Sequence, residues 1–179
     1  MKLKFSCETI DLHSTASGKT FEIDVWRYSH PDATKTVYLQ AGIHGIELTG
    51  IPVVHEFMKE IEANQLAYNF ICVPLSNPMG LDSQIMGVQT GYNNLHTNQQ
   101  NCWNWNRITN LKDEPSQEGH WIKTLLDLAE PADIVLDLHT AGVEAVPHIY
   151  SHVTEIKHAE GLGIPHLLAW NNPSYSFAD

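Results

Sequence analysis

The sequence has 179 residues, of which 42% are hydrophobic, and a formal net charge of −11 with only 10 lysines and arginines. This length and composition predict one globular domain over residues 1–179, with a sizeable core. The acidic balance and the lack of a basic stripe exclude nucleic acid as an expected partner. No apolar stretch approaches the roughly 18 residues that cross a bilayer, so no membrane partner is expected either.

The cysteines and the N-terminus indicate a reducing compartment. Cys7, Cys72 and Cys102 are odd in number, widely spaced and without a Cys-x-x-Cys pair, which argues against a disulfide framework. Cys72 lies in an apolar run and is expected to be an inert core residue. The N-terminus lacks the long apolar segment of a signal peptide. We therefore predict a cytoplasmic protein.

The first part of the chain predicts an edge hairpin, a buried strand and a helix. Residues 3–12 and 20–28 are predicted strands around a turn, since apolar and polar residues alternate with period two in the second. We expect this pair to form an antiparallel edge. The apolar run 37–41 predicts a buried strand, and a helix is predicted from about 49 to 64 because apolar residues recur at helical spacing.

The second part of the chain also alternates predicted strands and helices, with a long polar region after its first strand. An apolar strand is predicted over 68–75, a helix over 116–129, a central parallel strand over 134–138 and a further strand over 147–152. Residues 76–118 are polar, with little periodicity, but they contain tryptophans, in which disordered segments are poor. We expect this region to be an ordered loop that lines a site.

Two predicted strands end in residues that bind metals in proteins. His44 and Glu47 follow the strand over 37–41, and His139 follows the strand over 134–138. If these strands are neighbours in a parallel sheet, the three side chains converge at its carboxyl edge, where α/β sheets bind ligands. Two imidazoles and one carboxylate leave a fourth position open, as catalytic zinc sites do.

Each of these residues also has a simpler interpretation. The spacing His-x-x-Glu arises often by chance, usually as a solvated surface pair, and His139 alone is more often a hydrogen-bonded core histidine. Asp137 lies two residues before His139 and is expected on the same side of the strand. It either supports the histidine from behind through a hydrogen bond or is satisfied by backbone N–H groups.

Four motifs in order resemble those of the zinc carboxypeptidase superfamily. They are Gly-Ile-His-Gly-Ile-Glu over 42–47, Asn-Pro-Met-Gly over 77–80, Asn-Arg over 106–107 and Asp-Leu-His over 137–139. The closest branch is the succinylglutamate desuccinylase/aspartoacylase group, and the similarity runs from about 36 to 152. The resemblance implies a three-layer α/β fold, with a mixed, mostly parallel sheet and helices on both faces.

The resemblance also implies a site and a reaction. One Zn²⁺ ion is expected on His44, Glu47 and His139, while Asn106 and Arg107 grip the free carboxylate of a small-molecule or peptide substrate. The implied activity is hydrolysis of the amide bond next to that carboxylate, as in an N-acyl amino acid deacylase or a carboxypeptidase-like metallopeptidase. The sequence leaves open the exact substrate, a second metal ion and whether the chain forms a homo-oligomer.

Residue chemistry agrees with the role implied for Arg107. Arg27 is the only other arginine, and a guanidinium can hold a carboxylate through two parallel hydrogen bonds. In so acidic a chain, an arginine in a loop rich in tryptophan and asparagine is a credible local cation. The alternative is a structural salt bridge. Trp103 and Trp105 either wall the pocket or pack against the sheet.

The sequence departs from the resemblance at two points. Asn104 stands where relatives usually carry an acidic residue, two positions before the Asn-Arg pair. The general-base glutamate of the superfamily lies well beyond the second histidine, and none of the later glutamates, which are Glu144, Glu155 and Glu160, has the matching context. We therefore expect a domain that lacks the C-terminal strands, with no base assigned. The competing hypothesis is an inactive metal-binding fragment or binding module.

Overall fold

The computed structural model describes residues 2–14, 17–85, 88–89, 91, 93–94, 103–171 and 177. Its strands are β1 Lys4–Ser14, β2 Thr20–Ser29, β3 Thr36–Ala41, β4 Asn69–Val73, β5 Gln84–Ile85, β6 Val88–Gln89, β7 Asn93–Asn94, β8 Trp103–Asn104, β9 Ile134–Leu138, β10 His148–His152 and β11 His166–Trp170. Its α-helices are α1 Gly50–Asn64, α2 Pro78–Asp82, α3 Gln117–Ala129 and α4 Ile156–Glu160. Two 3₁₀ turns cover Trp105–Arg107 and Thr109–Leu111.

A five-stranded mixed sheet organises the domain. Its strand order is β1-β2-β4-β3-β9. The pairs β1/β2 and β2/β4 are antiparallel, whereas β3 pairs in parallel with both β4 and β9. The prediction of an antiparallel edge pair is therefore confirmed. The prediction that the two histidine-tipped strands are neighbours is also confirmed, because β3 and β9 are hydrogen-bonded to each other.

Side chains alternate between two cores on opposite faces of this sheet. Tyr38 and Ile71 face a core that contains Trp121 of α3, whereas Leu39 and Cys72 face a core packed against α1. This alternation follows from the period-two geometry of strands, and burying both faces explains the near-continuous apolar runs. The sheet thus lies between helices on both sides, which confirms the predicted three-layer α/β fold.

Strand β9 differs from its predicted central position. Within the described sheet it pairs with β3 only, so it forms an edge. Ile134 and Val135 are correspondingly 43% and 36% exposed. The apolar run at 134–138 indicates a strand suited to burial, but composition alone does not show how many strands lie beside it in the sheet.

The remaining described segments surround this sheet. Strands β10 and β11 form a separate parallel pair with α4 between them in sequence, so the strand predicted over 147–152 is confirmed. Much of the polar region 76–118 is ordered, with α2 and both 3₁₀ turns, while the prediction for 86–87, 90, 92 and 95–102 lies outside the described residues. Among the residues described, no helix has the length and apolarity needed to cross a membrane.

Candidate metal centre

A tight turn after β3 places the first histidine. Gly42 adopts a φ of +71°, a conformation that residues with a Cβ rarely adopt. Gly45 lies so close to the next segment that a Cβ atom there would be 2.0 Å from the backbone nitrogen of Leu81. Its own N–H donates to the carbonyl of Gly91 at 2.8 Å. The two glycines therefore let the turn pack against α2 with His44 held between them.

The Asn-Pro-Met-Gly motif fastens this turn from the other side. The fully buried Asn77 side chain donates from Nδ2 to the carbonyl of Ile43 at 2.8 Å and accepts the N–H of Gly80 at 2.8 Å. The Ser76 hydroxyl donates to the carbonyl of Ala41 at 3.0 Å. Asn77 thus caps α2 and fixes the residue before His44 with one amide group.

Glu47 joins the histidines of the two strand ends. Its Oε1 lies 2.9 Å from Nδ1 of His44, and its Oε2 lies 2.9 Å from Nδ1 of His139. The N–H of Thr140 donates to the same Oε2 at 2.9 Å. The three ligand-type atoms lie within 4.8 Å of one another, and the two imidazole centroids are 5.0 Å apart. The structure therefore brings together the three residues on which the metal prediction depends.

The side-chain oxygen of Asn104 determines which ring nitrogen of His44 carries the hydrogen. Oδ1 of Asn104 accepts the backbone N–H of Asn106 at 2.8 Å, which identifies this atom as the amide oxygen. The same oxygen lies 2.7 Å from Nε2 of His44, so Nε2 carries the hydrogen and donates. In a neutral imidazole, Nδ1 then presents its lone pair toward Glu47.

Asp137 holds the second histidine in the corresponding way. Its Oδ2 lies 2.8 Å from Nε2 of His139, and its side chain is 3% exposed. Its Oδ1 accepts a hydrogen bond from Nε2 of Gln40 at 3.1 Å. Side-chain donors therefore occupy both carboxylate oxygens, and the contact with His139 is the one expected of a residue that orients a metal ligand.

The ligand atoms of His44 and Glu47 can lie this close together only if a positive charge lies between them. Lone pairs on Nδ1 of His44 and on the Glu47 carboxylate cannot approach to 2.9 Å unless a proton or a cation lies between them. Burial opposes ionisation of Glu47, but hydrogen bonds from His139, from His44 when its Nδ1 also carries a hydrogen, and from the N–H of Thr140 lower its pKa to about 2. Two imidazoles and one ionised carboxylate form the donor set of a catalytic zinc site, so these residues fit that ion.

Hydrogen bonds to two carboxylates favour the protonated form of His139. Burial alone would lower the pKa of His139, but its hydrogen bonds with Asp137 and Glu47 raise that pKa to about 10. The His139 side chain is 34% exposed, against 5% for His44 and 11% for Glu47. Among the described residues, the cluster is therefore most open to solvent on the side of His139.

The predicted substrate-binding residues lie on the first 3₁₀ turn. Asn106 is buried, and its Oδ1 accepts the N–H of Phe177 at 2.7 Å, which leaves Nδ2 as the group facing His139, 3.1 Å from its Nε2. Arg107 is exposed and donates from Nη1 to the carbonyl of Asn106 at 2.5 Å. Arg107 takes part in none of the ion pairs found among the described residues, so the structure gives no support to a structural salt bridge there.

One tryptophan of the loop packs in the core. Trp105 is 3% exposed and meets Trp121 of α3 edge-on, with ring centroids 5.1 Å apart. Of the two alternatives for this residue, packing is the one observed. The side chain of Trp103, to which the same alternatives applied, lies outside the described part of the chain.

Sequence reasoning did not assign three residues that the structure places at or behind the site. These are Asn104, Gln40 and Tyr38. Asn104 stood out only as a departure from the family pattern. Gln40 is a polar residue inside the otherwise apolar run 37–41, and that single irregularity was the available signal.

Comparison with known proteins identifies the family. A model of the succinylglutamate desuccinylase/aspartoacylase catalytic domain matches residues 33–177. The chain therefore belongs to the succinylglutamate desuccinylase/aspartoacylase family, as the resemblance predicted. No curated protein matches the sequence.

Solved structures share the fold over most of this chain. A succinylglutamate desuccinylase/aspartoacylase family protein from Shewanella amazonensis has a TM-score of 0.83 and 25% identity, covering 96% of this chain and 56% of its own. An aspartoacylase family protein from Mesorhizobium loti gives 0.73 and 21%, covering 94% and 54%. A protein named a metallopeptidase, from Shewanella denitrificans, gives 0.51 and 21%, covering 82% and 50%. The chain thus spans about half the length of these structures.

Proposed function

We propose that this chain is a zinc-dependent hydrolase that cleaves an amide bond in a small substrate with a free carboxylate, such as an N-acyl amino acid. The observation that carries the proposal is the convergence of His44, Glu47 and His139 within 4.8 Å at the carboxyl edge of β3 and β9. Family membership supports the deacylase class of reaction. The same donor set is compatible with a carboxypeptidase-like metallopeptidase.

The residues of the chain prepare the site for one Zn²⁺ ion. His44 and His139 would offer Nδ1, since Asn104 and Asp137 occupy their Nε2 atoms, and Glu47 would offer its carboxylate. Zinc held by such a set lowers the pKa of a bound water to about 7 and polarises a substrate carbonyl. The N–H of Thr140 keeps the Glu47 carboxylate turned toward the histidines.

Substrate binding is proposed to depend on the 3₁₀ turn beside His139. Arg107 is exposed and its guanidinium carries the charge that a substrate carboxylate needs in a chain of net charge −11. Asn106 contacts His139 directly, so a carboxylate held at this turn would lie next to the metal ligands. Because Oδ1 of Asn106 accepts the N–H of Phe177, its Nδ2 is the atom that would donate to the substrate carboxylate.

Metal content tests the proposal at its first step. The purified chain, loaded with Zn²⁺ and dialysed, should hold about one zinc per chain by elemental analysis, and His44→Ala should lose it because only two ligands remain. His158→Ala is the matched control, since this histidine is exposed on α4 and pairs with Glu155 instead. Unchanged zinc in His44→Ala would end the ligand assignment.

Activity tests the second step. The zinc-loaded chain is assayed with N-acyl amino acids, and release of the free amino acid is expected in wild type and absent in His44→Ala. Metal binding without hydrolysis by the chain alone would favour the competing hypothesis of an inactive metal-binding module.

A further inference from the structure

Two buried polar residues behind the candidate metal centre have no role in the proposed function. Tyr38 and Gln40 lie on the α3 face of β3, and both are fully buried. Gln40 is directly opposite Asp137 in the parallel register of β3 with β9. Burying an amide costs free energy unless its hydrogen bonds are replaced, so the partners of Gln40 show what it does.

These residues form a continuous row of hydrogen bonds that ends at a candidate metal ligand. The Tyr38 hydroxyl donates to Oε1 of Gln40 at 2.8 Å, and Nε2 of Gln40 donates to Oδ1 of Asp137 at 3.1 Å. Oδ2 of Asp137 in turn accepts from Nε2 of His139 at 2.8 Å. The row therefore connects the hydrophobic core to the ring of His139.

The direction of the row is fixed by chemistry. An ionised carboxylate only accepts hydrogen bonds, so the amide nitrogen of Gln40 must face Asp137 and its oxygen must face Tyr38. The Tyr38 hydroxyl is then the donor, and burial raises the pKa of Tyr38 well above its usual value, which keeps that proton in place. Both Gln40 and His139 thus donate to Asp137.

This arrangement fixes how Asp137 meets the histidine. Asp137 pairs with no lysine or arginine among the described residues, and its side chain is 3% exposed. Gln40 occupies Oδ1 and leaves Oδ2 to His139, which sets the rotation of the carboxylate plane. A turned carboxylate would release Nε2 of His139, and the ring would lose the contact that directs Nδ1 toward Glu47.

We propose that Gln40, supported by Tyr38, is a positioning residue that locks Asp137 so that His139 presents Nδ1 to the metal. The inference rests on the proposed function in taking His139 as a zinc ligand. A purely structural Gln40 would contribute to folding stability alone, whereas a positioning residue also changes metal affinity and the environment of the His139 ring.

The affinity for Zn²⁺, measured by competition with a chromophoric chelator, tests this role in the full chain. Gln40→Met keeps the volume but removes the donor, and we expect about tenfold weaker binding, the low end of the effect for residues that orient metal ligands. Tyr38→Phe removes only the far end of the row and should weaken binding in the same direction by a smaller factor. Unchanged affinity in Gln40→Met would overturn the proposal.

A second buried tyrosine provides the matched control. Tyr28 is 1% exposed and donates to Oε1 of Glu62 at 2.9 Å, in the core on the other face of the sheet. Tyr28→Phe should lower the melting temperature as Tyr38→Phe does, but leave zinc affinity unchanged. Equal zinc affinity in Tyr38→Phe and Tyr28→Phe would overturn the proposal even if Gln40→Met failed to fold.

A readout without metal separates this inference from the proposed function. In the metal-free chain, the ring signals of His139 in ¹H–¹⁵N and ¹H–¹³C NMR spectra should shift in Gln40→Met and Tyr38→Phe, and stay in place in Tyr28→Phe. Ring signals that do not move would overturn the positioning role. A wild-type chain that binds no zinc would instead refute the metal centre, and the NMR comparison would still decide what Gln40 does.

Discussion

At the residue scale, Glu47 connects the two strand ends electrostatically. Each of its carboxylate oxygens lies 2.9 Å from the Nδ1 atom of a different histidine, so one side chain serves both. Its pKa of about 2 means that the carboxylate is ionised near neutral pH. Two nitrogen ligands without this charge would bind a divalent cation far less tightly.

The two histidines differ in the charge of the group behind them. His139 is held by the carboxylate of Asp137, whereas His44 is held by the neutral amide of Asn104. The resemblance places an acidic residue at the position of Asn104, and the structure shows why asparagine can stand there. The amide oxygen keeps the acceptor for Nε2 of His44 and also caps the turn through the N–H of Asn106.

Replacement of Asn104 should weaken zinc binding more than it weakens the fold. Asn104→Ala removes the acceptor for His44, and we expect zinc binding to weaken about 10- to 100-fold in a chelator competition. Asn104→Asp retains an oxygen acceptor and should bind zinc at least as tightly as wild type. Asn110→Ala, an exposed residue on the next 3₁₀ turn, is the control, and an Asn104→Ala variant with the affinity of this control would refute the assignment.

At the scale of elements, the turn between β3 and α1 depends on contact between backbones. Gly45 packs on the segment at Gly80 and Leu81, and Asn77 bonds the carbonyl of Ile43. These contacts unite two of the four sequence motifs in one substructure. The Asn-Pro-Met-Gly motif therefore serves the site indirectly, by fixing the turn that carries His44.

Gly45→Ala should destabilise the protein, because its Cβ would lie 2.0 Å from the Leu81 nitrogen and 2.1 Å from the carbonyl carbon of Gly80. Backbone atoms must move to accept it, at a cost of ~1–3 kcal/mol, or roughly 2–12 °C in melting temperature. Gly161→Ala is the control, since the nearest atom to its Cβ is the His158 carbonyl oxygen at 3.2 Å. Equal melting temperatures for the two variants in a thermal scan would contradict the close packing of Gly45.

The sequence predicted those elements whose patterns have a direct physical cause. The apolar runs at 37–41 and 134–138 reflect burial on both faces, and the rule for parallel edges then brings His44, Glu47 and His139 together. The edge position of β9 could not be read in the same way, because strand composition reports burial and not the number of neighbours. Its residues Ile134 and Val135 look central by composition but are partly exposed.

Contacts between distant polar residues were the part that sequence reasoning could not supply. His44 and Asn104 are 60 residues apart, and Asn104 lies in a region without periodicity. Gln40 and Asp137 meet only because β3 and β9 pair in a particular register. Hydrogen bonds of this kind leave no repeating pattern in a single sequence, so they become visible only in three dimensions.

At the scale of the whole molecule, the acidic net charge makes Arg107 stand out as a local cation. A chain of net charge −11 repels anions at long range, and Arg107 is the only arginine besides Arg27. Arg27 pairs with Glu8 on the antiparallel edge of the sheet. The two arginines thus form a natural comparison between a candidate substrate contact and a structural pair.

Arg107→Lys should raise KM for N-acyl amino acids about tenfold or more with a smaller change in kcat, because one of two charge-assisted hydrogen bonds to the substrate carboxylate is lost. Arg27→Lys should leave both constants unchanged. Steady-state kinetics of the two variants provide the measurement, and an unchanged KM in Arg107→Lys would remove this residue from the binding site.

The most direct test of the metal centre is anomalous diffraction at the zinc absorption edge, from crystals of the chain grown with one equivalent of Zn²⁺. We expect one strong peak about 2.0–2.2 Å from Nδ1 of His44, Nδ1 of His139 and a carboxylate oxygen of Glu47. A zinc peak elsewhere, or none at these three residues with the crystal fully loaded, would contradict the account.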